Sequence, residues 1–190
     1  MPFREPQPQM EPSPERPKKL FHATSNREIE EFHPRAKSIR DPEEGPMVFA
    51  TPDMALATIF LAPGRFVRKS GTFNDVPYAV ILDKEGFLKA DKGGAIYELP
   101  PEGFGCRPEI GLGENEWTCP TSVKPIGKID VPSALEAMLE AGVQVFFTDA
   151  ATVRDIETDE DHGLRRLRAM RSENQERGVN VRELPLDDEA

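Results

Sequence analysis

The chain has 190 residues, enough for one domain with a sizeable core, but only 37% are hydrophobic and 19 are proline, so part of its length is expected to be tail. A formal net charge of −10 makes it a poor default binder of DNA or of an anionic membrane. Two cysteines exclude a disulfide framework, no apolar run is long enough to span a bilayer, and no apolar signal core opens the chain, so a soluble cytoplasmic protein is expected.

Residues 1–19 are dominated by Pro, Glu, Gln and Arg and read as a disordered arm. Leu20-Phe21-His22-Ala23-Thr24 reads as a short strand. A brief helix over 27–32, capped by Ser25 or Asn26, ends before Pro34. Residues 35–46 are polar loop. Residues 47–51 form a second strand. A helix opens at Pro52 with Thr51 as N-cap and runs to Leu61, where Met54, Ala57 and Leu61 recur at helical spacing. Residues 65–76 read as a mobile connector and 78–82 as an apolar strand, with 86–89 pairing near it. Residues 91–94 are a turn and 95–99 a strand.

A Gly/Pro-rich loop over 104–113 then delivers Glu114, Asn115, Glu116 and Trp117 to an interrupted or edge strand. Residues two apart on a strand share a face, so Glu114 and Glu116 are expected on one side and Trp117 on the other. Residues 124–131 continue the sheet. Residues 132–141 give the clearest helix, with Pro132 at its first position and Gly142 as its stop, and 143–148 a central strand. Residues 159–177 carry a thin apolar stripe, Leu164, Leu167 and Met170, among arginines, which suits an amphipathic helix packed within the chain. The domain plan is an arm (1–19), a folded unit (20–157), an Arg-rich helix (158–178) and an acidic tail (179–190).

Metal chemistry has little support, because His22, His33 and His162 show no paired spacing and Cys106 and Cys119 lie thirteen apart. Cys119 with His22 is possible on paper as a nucleophile and base, but a lone strand cysteine is more often a small core residue. Gly111-Leu112-Gly113 lacks the third glycine and the helix of a dinucleotide fingerprint. Taken singly, His22 is a core histidine, 49–51 the end of a strand and Glu116 a surface glutamate. Their order along the chain says more.

That order resembles the histidine–tyrosine–glutamate branch of the ADP-ribosyltransferase superfamily, over residues 20–148 and with interruptions. Leu20-Phe21-His22-Ala23-Thr24 looks like the first motif, with Ala23 where glycine is usual. Gly45 to Pro52 with the alanine-bearing helix looks like the second, and Asn115-Glu116-Trp117 like the third. The resemblance implies an α+β fold: a strongly bent, split mixed β-sheet with few short helices, clasping NAD. It implies NAD-dependent mono-ADP-ribosyl transfer, or NAD hydrolysis, to an acceptor that is a protein or a small molecule. Glu116 would stabilise the cationic ribose and Glu114 engage the acceptor. His22 and Thr24 would hold the adenosine ribose. The tyrosine of the second motif is absent: one alignment puts Phe49 there, another Val48, with Thr51 closing the strand and Phe60 or Tyr97 as substitute rings. The alternatives are an inactive nucleotide- or protein-binding module of the same fold, and a small interaction protein.

Overall fold

The computed structural model describes residues 14–39, 41–73, 76–158, 163, 165–169 and 183–185. They form an α+β fold of three small sheets and a few short helices. The first sheet is antiparallel: β1 (Leu20–Thr24), β5 (Gly94–Leu99) and β8 (Gly127–Val131), in that order. The second is β2 (Val48–Ala50), β7 (Trp117–Cys119) and β6 (Gly105–Cys106), also antiparallel. The third is mixed. Its order is β10 (Glu183–Pro185), β9 (Gln144–Thr148), β4 (Val76–Leu82) and β3 (Val67–Phe73), with β9 parallel to both neighbours. A bridge between Phe21 and Thr51 joins the edges of the first two sheets.

Alternation decides what each strand buries. Leu20 of β1 and Ala95, Tyr97 and Leu99 of β5 meet Val48 and Ala50 of β2 and Trp117 and Cys119 of β7 in one core. Ala23 and Ile96 point the other way, into a second core. There they meet α1 (Met54–Ile59), α2 (Lys84–Ala90), α3 (Ala134–Glu140) and the inner face of β4 and β9. The central strand of that sheet, β5, is therefore buried on both sides, while β8 is largely exposed. The four residues of β9 from Val145 to Thr148, like Gln144 before them, are all buried, as suits a strand flanked by β4 and β10. Beyond β9, α4 (Ala150–Thr158) follows, and Leu167 is buried.

Several elements differ from the sequence expectation. Residues 27–32 are not a helix: Phe32 bridges to Val123, and the Tyr97 hydroxyl holds the backbone of Asn26 and Ile29. The 65–76 connector contains β3, a strand whose polar residues suit the edge position it takes. Residues 86–89 lie in α2 rather than in a paired strand, because Asp83, at φ +58°, caps that helix by accepting from Gly86 N at 2.9 Å. The cap of α1 is Asp53, not Thr51. Its carboxylate accepts from Ala55 N and Leu56 N, while Thr51 Oγ1 accepts from Asp53 N at 3.1 Å. The cap of α3 is Ser133, so that helix begins two residues after Pro132, and Gly142 stops it at φ +85°. The acidic tail contains β10. The arm up to residue 13 and most of 159–177 lie outside the described residues. No helix among the described residues is long and apolar enough to cross a membrane.

Candidate functional site

The seam between the first two sheets opens into a hollow of about 180 Å³. Four separated stretches line it: Phe21, His22 and Ala23 from β1; Phe49, Ala50 and Thr51 from β2 and its end; Phe60 just after α1; and Leu112, Asn115 and Glu116 from the loop ahead of β7. A second hollow, of about 620 Å³, continues past His22, Ala23 and Phe60. Thr24, Ser25, Ser70 and Lys92 supply its polar wall. Phe60, 53% exposed, belongs to both.

The alternation of β2 decides which of Val48 and Phe49 faces the hollow. Val48 and Ala50 are buried in the core between the sheets, so Phe49 faces the hollow. Its carbonyl has a second role. His22 Nδ1 lies 2.7 Å from Phe49 O, and a carbonyl only accepts, so Nδ1 carries the proton. Burial lowers the His22 pKa; the hydrogen bond to Phe49 raises it and the charge of Arg35 lowers it again, leaving it below the ordinary 6.5. The imidazole is thus neutral at pH 7, and Nε2 keeps its lone pair as an acceptor. The ring packs on Phe32, 4.6 Å between centroids, and Phe32 packs edge-on against Tyr97.

Glu116 ends a 3-10 turn (Gly113–Asn115), its N–H bonded to Gly113 O at 3.0 Å. That turn overturns the expected shared face of the two glutamates. Glu114 sits in the turn, is exposed and lines neither hollow, because the extended backbone starts only at Glu116. What fixes Glu114 is its carbonyl, which accepts from Trp117 Nε1 at 3.0 Å. The Glu116 carboxylate lies over Gly111, at the space where any other residue would have its Cβ.

The chain matches no family model, no curated protein and no solved structure.

Two further sequence candidates sit away from the smaller hollow. Tyr97, 1% exposed, lines neither hollow and is no substitute ring; its hydroxyl accepts from Ile29 N at 3.0 Å and donates to Asn26 O at 3.1 Å. Thr24 lines the larger hollow, where its Oγ1 accepts from Asn26 N at 3.3 Å. Sequence reasoning missed Phe21 and Leu112. Leu112 had a usable signal, an apolar residue between two glycines in a loop. Phe21 had none, because strand alternation sets it opposite His22, and only the bridge to Thr51 brings it to the seam. Among the described residues no three of His, Cys, Asp and Glu gather as metal ligands would.

The site is chemically lopsided. Among the described residues, its smaller hollow offers three phenyl rings, a neutral imidazole and one carboxylate. Among the described residues, the larger offers hydroxyls and a lysine. Rings and a carboxylate at one end, and hydroxyls and a lysine at the other, present an elongated ligand with two different surfaces.

Proposed function

We propose that this chain uses NAD: it transfers ADP-ribose to a protein or small-molecule acceptor, or to water when none is bound, as a divergent ADP-ribosyltransferase of the histidine–tyrosine–glutamate type. The observation that carries this reading is the convergence of His22, Phe49, Phe60 and Glu116 on one hollow from three distant regions of chain. The seam between two antiparallel sheets suits the split sheet of that fold.

The chemistry follows from the lining. The nicotinamide ring of NAD is cationic and planar, and Phe49 and Phe60 offer faces on which it stacks. As its bond to the ribose breaks, nicotinamide leaves with the electron pair and positive charge moves onto the ribose. Glu116 stabilises that charge more than it stabilises the ground state. Water or an acceptor then closes the bond and loses a proton. His22 Nε2, the acceptor side of a neutral ring, takes a hydrogen bond from a ribose hydroxyl. Thr51, buried at the end of β2, completes the wall. The larger hollow, with Thr24 and Lys92, takes the adenosine diphosphate half. Glu114, exposed two residues ahead of Glu116, meets the acceptor.

The test is nicotinamide release from NAD by the purified chain. Glu116→Gln keeps the shape and removes the charge, and should raise the barrier by roughly 2–4 kcal/mol with little change in stability. Turnover unaffected by that change would overturn the assignment of Glu116. Tight NAD binding without release would favour a binding module of the same fold.

A further inference from the structure

One guanidinium joins the two loops that flank the smaller hollow. Arg107 Nη1 donates to Asp41 Oδ2 at 3.3 Å and to Glu44 Oε1 at 3.0 Å, and Nε donates to Glu109 Oε1 at 2.8 Å. Asp41 and Glu44 belong to a tight turn, closed by Glu44 N and Gly45 N on Asp41 O at 3.1 and 3.2 Å. Three residues beyond Gly45, β2 begins and presents Phe49. Arg107 itself opens a run of consecutive turns: Ile110 N to Arg107 O and Gly113 N to Ile110 O, each 3.2 Å. That run carries Gly111 and Leu112 and ends at Glu116.

A single exposed ion pair adds little. Here one planar fork spans three carboxylates on two loops, and Glu44 is only 15% exposed. A guanidinium in that arrangement fixes direction as well as distance, which an ammonium does not.

We propose that Arg107 is a positioning residue: it locks the 41–45 turn to the 107–113 turns and so sets the Glu116 carboxylate relative to Phe49 across the hollow. It acts through the backbone at Gly111, against which that carboxylate rests. The proposal rests on Glu116 being the stabilising carboxylate. Because the lock is ionic and at the surface, salt loosens it.

The experiment has two readouts. In wild type, raising NaCl from about 0.05 to about 0.5 M should lower kcat for nicotinamide release several-fold with a smaller change in KM. Arg107→Gln should start about tenfold lower in kcat and lose the salt response, since a small misplacement of a catalytic group is costly. Arg107→Lys should recover only part of the loss. Independently of turnover, Trp117 is the chain's one tryptophan and is bonded to Glu114 O. Its quenching by acrylamide should rise with salt in wild type and be high and salt-independent in Arg107→Gln. Quenching that behaves this way, without any nicotinamide release, would sustain the lock and sink the catalytic reading. Identical quenching and salt response in wild type and Arg107→Gln would overturn the lock.

Discussion

Gly111 leaves the space that the Glu116 carboxylate fills. A Cβ at position 111 would lie 2.8 Å from Glu116 Cδ, and the backbone there has φ +63°. The carboxylate is the far end of a flexible side chain, so a methyl group would push it aside instead of breaking the fold. Gly111→Ala should lower kcat for nicotinamide release by about tenfold or more, with KM for NAD little changed. Gly113 is the control. Its φ is +62°, yet the nearest atom to its Cβ is Pro108 O at 3.5 Å. Both alanine variants should lose about 1–2 kcal/mol of stability to the left-handed backbone. Only the first should lose turnover. Equal loss of turnover in both would assign the effect to backbone strain.

His22 makes the site sensitive to acid. Its folded pKa is lowered, chiefly by burial, so the unfolded chain takes up the proton first as pH falls. The stability it contributes is complete above the ordinary value of 6.5 and is lost as pH falls through the depressed folded value. Relative to His22→Gln, wild type should therefore lose stability over that window in urea titrations. NAD affinity should fall as pH passes through the depressed folded value, because protonation there removes the Nε2 acceptor. A difference between the two proteins that does not vary with pH would exclude this role.

Phe49 and Tyr97 should separate binding from folding. Phe49→Ala removes a ring from the hollow and should raise KM for NAD by about tenfold, the scale of a lost stacking contact, with little loss of stability. Tyr97→Phe keeps the packing but strips the partners from Ile29 N and Asn26 O. It should lower stability by about 1–3 kcal/mol and leave KM alone. Thermal melts alongside NAD saturation curves check both.

Asp91 couples the turn after α2 to the start of α3. Its carboxylate accepts from Gly93 N, Ala134 N and Leu135 N at 2.8–3.0 Å and from Ser133 Oγ at 2.9 Å. Burial pushes its pKa up, but the hydrogen bonds from Leu135, Ala134, Gly93 and Ser133 outweigh that and hold it below 3.8. The stabilisation is present above pH 3.8 and lost as pH falls through the depressed value. Asp91→Ala should cost about 1–2 kcal/mol at neutral pH, as loss of a helix cap does. Denaturation in acid should show the two proteins converging.

Local chemistry was legible in the sequence wherever it acts over a few residues. The strands at 20–24, 47–51 and 143–148 and the helix ended by Gly142 were readable from apolar runs, helical spacing and a glycine stop, and residues 48–50, 144–148 and 134–140 adopt those forms. His22, Phe49, Phe60 and Glu116 could be named only through the resemblance of their stretches to a family's motifs, and all four line the smaller hollow. Tertiary contacts decided the rest. Residues 27–32 gave up a marginal helix for hydrogen bonds to Tyr97 and a bridge to Val123, since propensities of a few tenths of a kcal/mol per residue yield to such bonds. An edge strand such as β3 carries no apolar alternation to announce it. The choice of Phe49 over Val48 depended on which side of β2 meets the β1–β5 face, and the separation of Glu114 from Glu116 on one turn of 3-10 helix. Both are matters of what packs against a strand and where its extended backbone begins, and neither is encoded within reach of the residues concerned.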